Sequence, residues 1–204
     1  MKKFLIIILM ILMSSIALGK GKVRSYNIDA NDLTFKIYQI NALMFGYKDV
    51  DKWNQLMVGT IAAETNYGKF RGKSPLGITQ ISPAGWGNIK SKITQEEKDK
   101  LKILGYDHDK IVLKDLANDT MLAIAYGAIY YNHKLKGVPP KDINDCAKVW
   151  KKYYNTYAGS GTIKGFKNKY AYHGEKHLMA FYSNPIKEFD IRIVVNKLID
   201  DAAA

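Results

Sequence analysis

Cysteine, negative charge and long apolar runs are all scarce in this chain, and each shortage excludes something. The one cysteine, Cys146, cannot close an internal disulfide, so the fold rests on its packed core. Nineteen Asp and Glu stand against 31 Lys and Arg, a formal net charge of +12 over 204 residues. Such a balance suits nucleic acid, anionic membranes and anionic wall polymers alike, so charge alone chooses none of them. Phe4 to Met13 is apolar without interruption but short for a membrane span. It follows Lys2-Lys3 and precedes Ser14 to Gly19, with Ala17 and Gly19 at the −3 and −1 positions of a cleavage site before Lys20. Residues 1–19 therefore read as a signal peptide, and with no cysteine at the junction a lipoprotein is not expected. Cleavage removes Lys2 and Lys3 and leaves 12 − 2 = +10 on residues 20–204. An exported basic protein, periplasmic or at the cell wall, meets envelope polymers before it meets DNA. No nucleic-acid partner is expected. The absence of repeats, linkers and low-complexity tracts favours one domain over 20–204.

A local absence matters more. From Thr65 to Gln95 there is no Asp or Glu, and this gap lies directly behind Glu64. The surrounding stretch, LMVGTIAAETNYGKFRGKSPLGITQISPAGW (56–86), organises the rest. Trp53, Met57, Ile61 and Glu64 recur at i+4 and i+3, so they share one face of a helix. A carboxylate on an apolar stripe is costly to ionise, and such a group tends to hold its proton near neutral pH, as a general acid must. Asn66-Tyr67-Gly68 offers a left-handed exit with Gly68 as the C′ residue. Glu64 then sits in the last helical turn and faces the loop that follows.

Glu64-Thr65-x-x-Gly68 followed by Ser74-x-x-Gly77-x-x-Gln80-Ile81-x-Pro83 resembles the soluble lytic transglycosylases and, more distantly, goose-type lysozymes. Two further blocks are similar. Ala125 to Tyr131 matches part of the family's buried N-x-x-x-G-x-x-Y-L helix, and Tyr153 to Gly161 stands where the family carries A-Y-N-A-G-x-G. The four blocks lie within 56–161. Gly77-Ile78-Thr79-Gln80 departs from the family's G-L-M-Q, and two extra residues separate Tyr154-Asn155 from Gly159-Ser160-Gly161. Tyr157 competes with Tyr154 for the family tyrosine's place. Tyr154 is preferred because Asn155 follows it.

The resemblance implies a mainly α, lysozyme-like domain with a short loop or hairpin region beside an active-site groove. It implies an exported lytic transglycosylase acting on peptidoglycan glycan strands. Glu64 would protonate the oxygen between N-acetylmuramic acid and N-acetylglucosamine and then, as a carboxylate, take the proton of the muramoyl C6 hydroxyl. Gln80, Tyr154 and Asn155 would contact substrate, with Thr65 and Ser74 as lesser candidates. A muramidase or glucosaminidase on the same fold, or a wall-binding or secretion-scaffold protein without turnover, is the alternative. An envelope-spanning secretion or phage apparatus is a candidate partner, and a monomer is expected. No cofactor is called for. Asp107-His108-Asp109 fits no calcium loop, and His173 and His177 are separated by a helix-weakening Gly174, so no metal is expected.

The remaining chain reads as helical. Periodicity predicts helices over about 31–43, over 50–65 with Asp49 or Asp51 as cap, and from the Thr94 capping box to Gly105. Asp115 to Tyr131 is apolar nearly all round and reads as the central helix. Another helix is predicted from Asn144 or Asp145 beyond Pro139-Pro140, and a last one from Asn184-Pro185 with Ile191, Val194, Val195 and Leu198 on its apolar face. Residues 69–90, rich in Gly, read as loop or short hairpin.

Overall fold

Asp29 opens the first helix, α1 (Ala30–Phe45), by accepting the amide N–H groups of Asn31 and Asp32, and Gly46 closes it at φ 75°. A computed structural model of the chain describes residues 25–71, 76–156, 159–184, 192–197 and 199–200. The expected signal peptide, Ser74 and Tyr157 lie outside these, as do Pro185, Ile191 and Leu198 of the last predicted helix. Among the described residues the fold is mainly α-helical, with no strand or sheet, and no helix is long and apolar enough to cross a membrane.

Helix α2 (Val50–Thr65) begins after Asp49, as the sequence predicts, but not by the predicted cap. Asp49 is left-handed at φ 59° and its side chain makes no cap bond, pairing with Lys52 at 2.6 Å instead. The exit is longer than a single C′ glycine, since Asn66, Tyr67 and Gly68 all have positive φ (51°, 59° and 80°). Trp53, Met57 and Ile61 are buried, as their spacing requires.

One prediction fails in the next segment. Within 69–90 lies a ten-residue helix, α3 (Pro83–Lys92), with Ser82 as its cap through a bond from the Gly85 N–H. Ser-Pro is a strong helix start, and Gly85 and Gly87 lower the propensity without breaking the helix. Helix α4 (Gln95–Ile103) carries the predicted capping box between Thr94 and Glu97, and the chain turns at Gly105, φ 86°. A 3₁₀ turn (Leu113–Ala117) leads to Asp119, which caps α5 (Thr120–Leu135). Leu122 to Tyr131 are all buried, as predicted.

Two helical stretches with wide π-type turns follow, ahead of the described C-terminal helical residues 192–197 and 199–200. Helix α6 (Ile143–Val149) runs into such turns at Trp150–Asn155. Helix α7 (Ile163–Lys169) continues through Tyr170–Glu175 into α8 (Lys176–Tyr182). Gly174, expected to weaken a helix, lies within the wide turns of Tyr170–Glu175, and the chain stays helical through it. A Cβ there would lie 2.6 Å from Val58 Cγ1, so the glycine lets the helix press against α2. Val195, on the described part of the C-terminal helix, is buried with Tyr38, Leu43, Val50 and Phe181, whereas Val194 is exposed.

The central position belongs to α2, not to the predicted α5. Helix α2 is packed by α1, α5, α6, α7, the 170–175 turns and α8. Its own small residues permit this. A Cβ on Gly59 would stand 2.3 Å from the Phe166 ring, so α7 crosses α2 where no side chain separates them. The carboxyl group at the end of α2 is thereby surrounded by the elements that enclose α2.

Candidate active site

Glu64 ends α2 half-buried, and its nearest polar partner comes from the far half of the sequence. Trp150 donates its indole N–H to Glu64 Oε1 at 2.8 Å. The wide turns that begin at Trp150 set this direction, and the Gly159–Gly161 backbone closes over the indole, since a Cβ on Gly161 would approach Trp150 to 2.4 Å. Burial pushes the Glu64 pKa up, and the Trp150 N–H and the Lys169 ammonium pull part of it back. Lys169 is held there by donating to the Ala63 carbonyl at 2.7 Å.

Tyr154 lies beside this carboxyl. Its hydroxyl donates to the Thr79 carbonyl at 2.5 Å. Burial raises its pKa far above the usual tyrosine range, and the Glu64 charge adds to the rise. Tyr131 stacks on Tyr154 at 5.4 Å between ring centres and shares a 2.7 Å bond with Thr60. Its ionisation is suppressed by burial and, to a lesser degree, by Tyr154 and Glu64. Both phenols are therefore fixed as neutral hydrogen-bonding groups near Glu64.

The other sequence candidates fall into distinct places. Thr65 is buried, with its hydroxyl 2.9 Å from the Ile61 carbonyl and 3.2 Å from that of Ile78, and it accepts the Gly68 N–H. It ties the end of α2 to the 77–80 turn. Gln80 is left-handed at φ 54° and donates its amide N–H groups to Gly77 O (2.6 Å) and to Tyr26 Oη (3.1 Å). Gly77, at φ 83°, has no room for a Cβ, which would stand 2.5 Å from the Leu116 carbonyl. Asn155 accepts from Lys151 Nζ at 2.9 Å, and the same ammonium binds the carbonyls of Thr156 and Gly159. Asn155 thus belongs to the clasp that holds the Gly-x-Gly loop. Ser74 is outside the described residues.

A cleft of about 210 Å³ is lined by Gln80, Ser82, Tyr130, Lys134, Tyr153 and Tyr154 among others, and Glu64 does not line it. Asp115 and Asp119, the candidate second carboxylates, make local bonds next to α5. Asp115 accepts the Val112 N–H at 2.9 Å, while Asp119 accepts the Leu122 N–H at 3.0 Å and the Tyr106 hydroxyl at 2.8 Å. Among the described residues no group of three or more His, Cys, Asp or Glu is gathered to hold a metal.

Tyr154 is close enough to Glu64 to feel its charge, whereas Gln80 shares a cleft with Tyr154 and bonds to Tyr26 and Gly77. Trp150, Lys169 and Tyr131 were not legible as site residues. Trp150 carried the one usable signal, because a buried indole N–H needs an acceptor. The arrangement places a carboxyl group of raised pKa near neutral phenols and an indole donor. Comparison of the chain with protein-family models, with curated proteins and with solved structures finds no match.

Proposed function

We propose that the chain is an exported peptidoglycan lytic transglycosylase on a lysozyme-like α-helical fold, with Glu64 as its acid and base. The observation that carries this reading is the carboxyl group of Glu64 itself, half-buried at the end of α2 with its pKa raised by burial and one oxygen held by Trp150. A group that must give a proton and then take one back works best with a pKa near the operating pH, and burial moves a glutamate in that direction. The protonated form donates to the glycosidic oxygen as the bond to the muramoyl C1 breaks. The carboxylate left behind removes the proton of the muramoyl C6 hydroxyl as that oxygen bonds to C1. The enzyme ends protonated, as it began, and the product carries a 1,6-anhydro ring.

The commitment of Asp115 and Asp119 to caps supports this product over hydrolysis, which normally uses a second carboxyl group about 5–9 Å away. Intramolecular attack by a hydroxyl already on the sugar needs no such base for water. Gln80 and Tyr154, which line the cleft, are the side chains that would orient the sugar. Release of soluble fragments from purified peptidoglycan tests the reading through Glu64→Gln. Glutamine keeps an oxygen for the Trp150 N–H but cannot ionise, so release falls at least about 100-fold. A glutamine variant with near-full activity contradicts the proposal.

A further inference from the structure

Ser25 to Ile28, the described residues ahead of α1, carry none of the four sequence blocks, yet Tyr26 reaches the turn that holds Gln80. The Tyr26 backbone N–H donates to the Gly68 carbonyl at 3.0 Å, at the exit of α2. Its hydroxyl donates to the Gly77 carbonyl at 2.8 Å and accepts from Gln80 Nε2 at 3.1 Å. One residue thus ties the chain just beyond Glu64 to the 77–80 turn. Tyr26 is itself held in place. The Arg71 guanidinium stands 5.3 Å from the centre of its ring and donates to Ala117 O and Asn118 Oδ1, each at 2.9 Å. Ile28 fills the space at Gly68, where a Cβ would come within 3.0 Å of its Cγ2. These bonds leave Gln80 one role. A primary amide has two N–H donors and a carbonyl acceptor, and the Gly77 carbonyl can only accept, so it fixes which end of the carboxamide faces it. Nε2 gives one N–H to Gly77 O at 2.6 Å and the other to Tyr26 Oη. Only Oε1 is left for a ligand.

We propose that Tyr26 is a positioning residue: by taking the second N–H of Gln80, it makes that side chain meet its ligand as an acceptor only. The ligand group that Gln80 reads is then a donor, a hydroxyl or an amide N–H. Without the Tyr26 hydroxyl one N–H is released, and the carboxamide presents a donor as well as an acceptor. That the ligand is a glycan strand rests on the peptidoglycan reading of the Glu64 site, whereas the coupling of Tyr26 to Gln80 rests on the geometry of the two side chains.

A double-mutant cycle on Tyr26→Phe and Gln80→Gly tests this, with soluble peptidoglycan strands as substrate. Phenylalanine keeps the ring beside Arg71 and removes only the hydroxyl, and glycine suits the backbone of position 80 at φ 54°. Tyr26→Phe is expected to raise KM about 5-fold and to change kcat by less than about 2-fold, as the weakening of one ligand bond kept through the reaction does. In the Gln80→Gly background the same substitution leaves KM unchanged. Glutamine side chains labelled with ¹⁵N give a readout that needs no ligand. Exchange of the Gln80 amide protons with solvent is expected to quicken about 5-fold in Tyr26→Phe. A KM effect that persists in the Gln80→Gly background marks Tyr26 as a staple of the loop and overturns the positioning role. Amide exchange that ignores Tyr26→Phe overturns it too. Quickened exchange without fragment release by the wild-type protein sinks the Glu64 reading alone, and release with unchanged exchange sinks the positioning role alone.

Discussion

At the scale of single residues, the account turns on how the surroundings of Glu64 set its proton affinity. The Trp150 N–H and the Lys169 ammonium both favour the carboxylate, so removing either raises the Glu64 pKa further. If the protonated form starts the reaction, the alkaline limb of kcat/KM reports this group. Trp150→Phe and Lys169→Met are each expected to move that limb to higher pH, and a shift to lower pH would contradict the assignment. The same group governs stability. Because the folded protein binds the Glu64 proton more tightly than the unfolded chain, stability is lost as pH rises through and above the ordinary glutamate range. Glu64→Gln escapes that loss, so its Tm at pH 7 equals or exceeds that of the wild type, and the gap closes as pH falls below the ordinary glutamate value. Thermal unfolding at a series of pH values checks this. Glu64 was legible in the sequence because a carboxylate on the Trp53–Met57–Ile61 stripe is an anomaly. Trp150 was not, since its direction depends on π-type turns that break the helical period from which sequence spacing is read.

At the scale of elements, α2 is central because it is small where others touch it. Gly59→Ala places a methyl group 2.3 Å from the Phe166 ring and is expected to destabilise by about 1–3 kcal/mol in urea unfolding. Gly87→Ala is the contrasting case. It lies inside α3 with nothing within 4 Å of a Cβ, so it is expected to stabilise by about 0.5–1 kcal/mol. The pair separates close approach from helix propensity. Local chemistry made α1, α4 and α5 legible, through the spacing of Leu33, Ile37 and Ile40, the Thr94–Glu97 box and an unbroken apolar run. It misled at α3, where Gly85 and Gly87 outweighed the Ser82-Pro83 start, and it did not show that Gly174 meets a neighbour, Val58, more than a hundred residues away. Periodicity reports which face of a helix is buried. It does not report which partner lies against that face, and so α5 was taken for the centre.

At the scale of the molecule, ammonium groups gather around His173, and Lys169 among them also acts on Glu64. His173 is held below its usual pKa by burial first and then by the ammonium groups of Lys69, Lys169 and Lys176. An anionic wall polymer is attracted to such a surface, and the attraction shortens from about 10 Å at 0.1 M salt to about 3 Å at 1 M. Retention on purified peptidoglycan is therefore expected to fall steeply over that range, and salt-independent retention would leave the net positive charge without a role in binding. The central claim is chemical, and the product records it. Digestion of peptidoglycan in ¹⁸O-water, followed by mass spectrometry of the released fragments, distinguishes attack by the substrate's own C6 hydroxyl from attack by solvent. The account predicts non-reducing 1,6-anhydromuramoyl ends without ¹⁸O. Reducing ends that carry one ¹⁸O would contradict it, and would require a second carboxyl group that Asp115 and Asp119, bound as caps, do not supply.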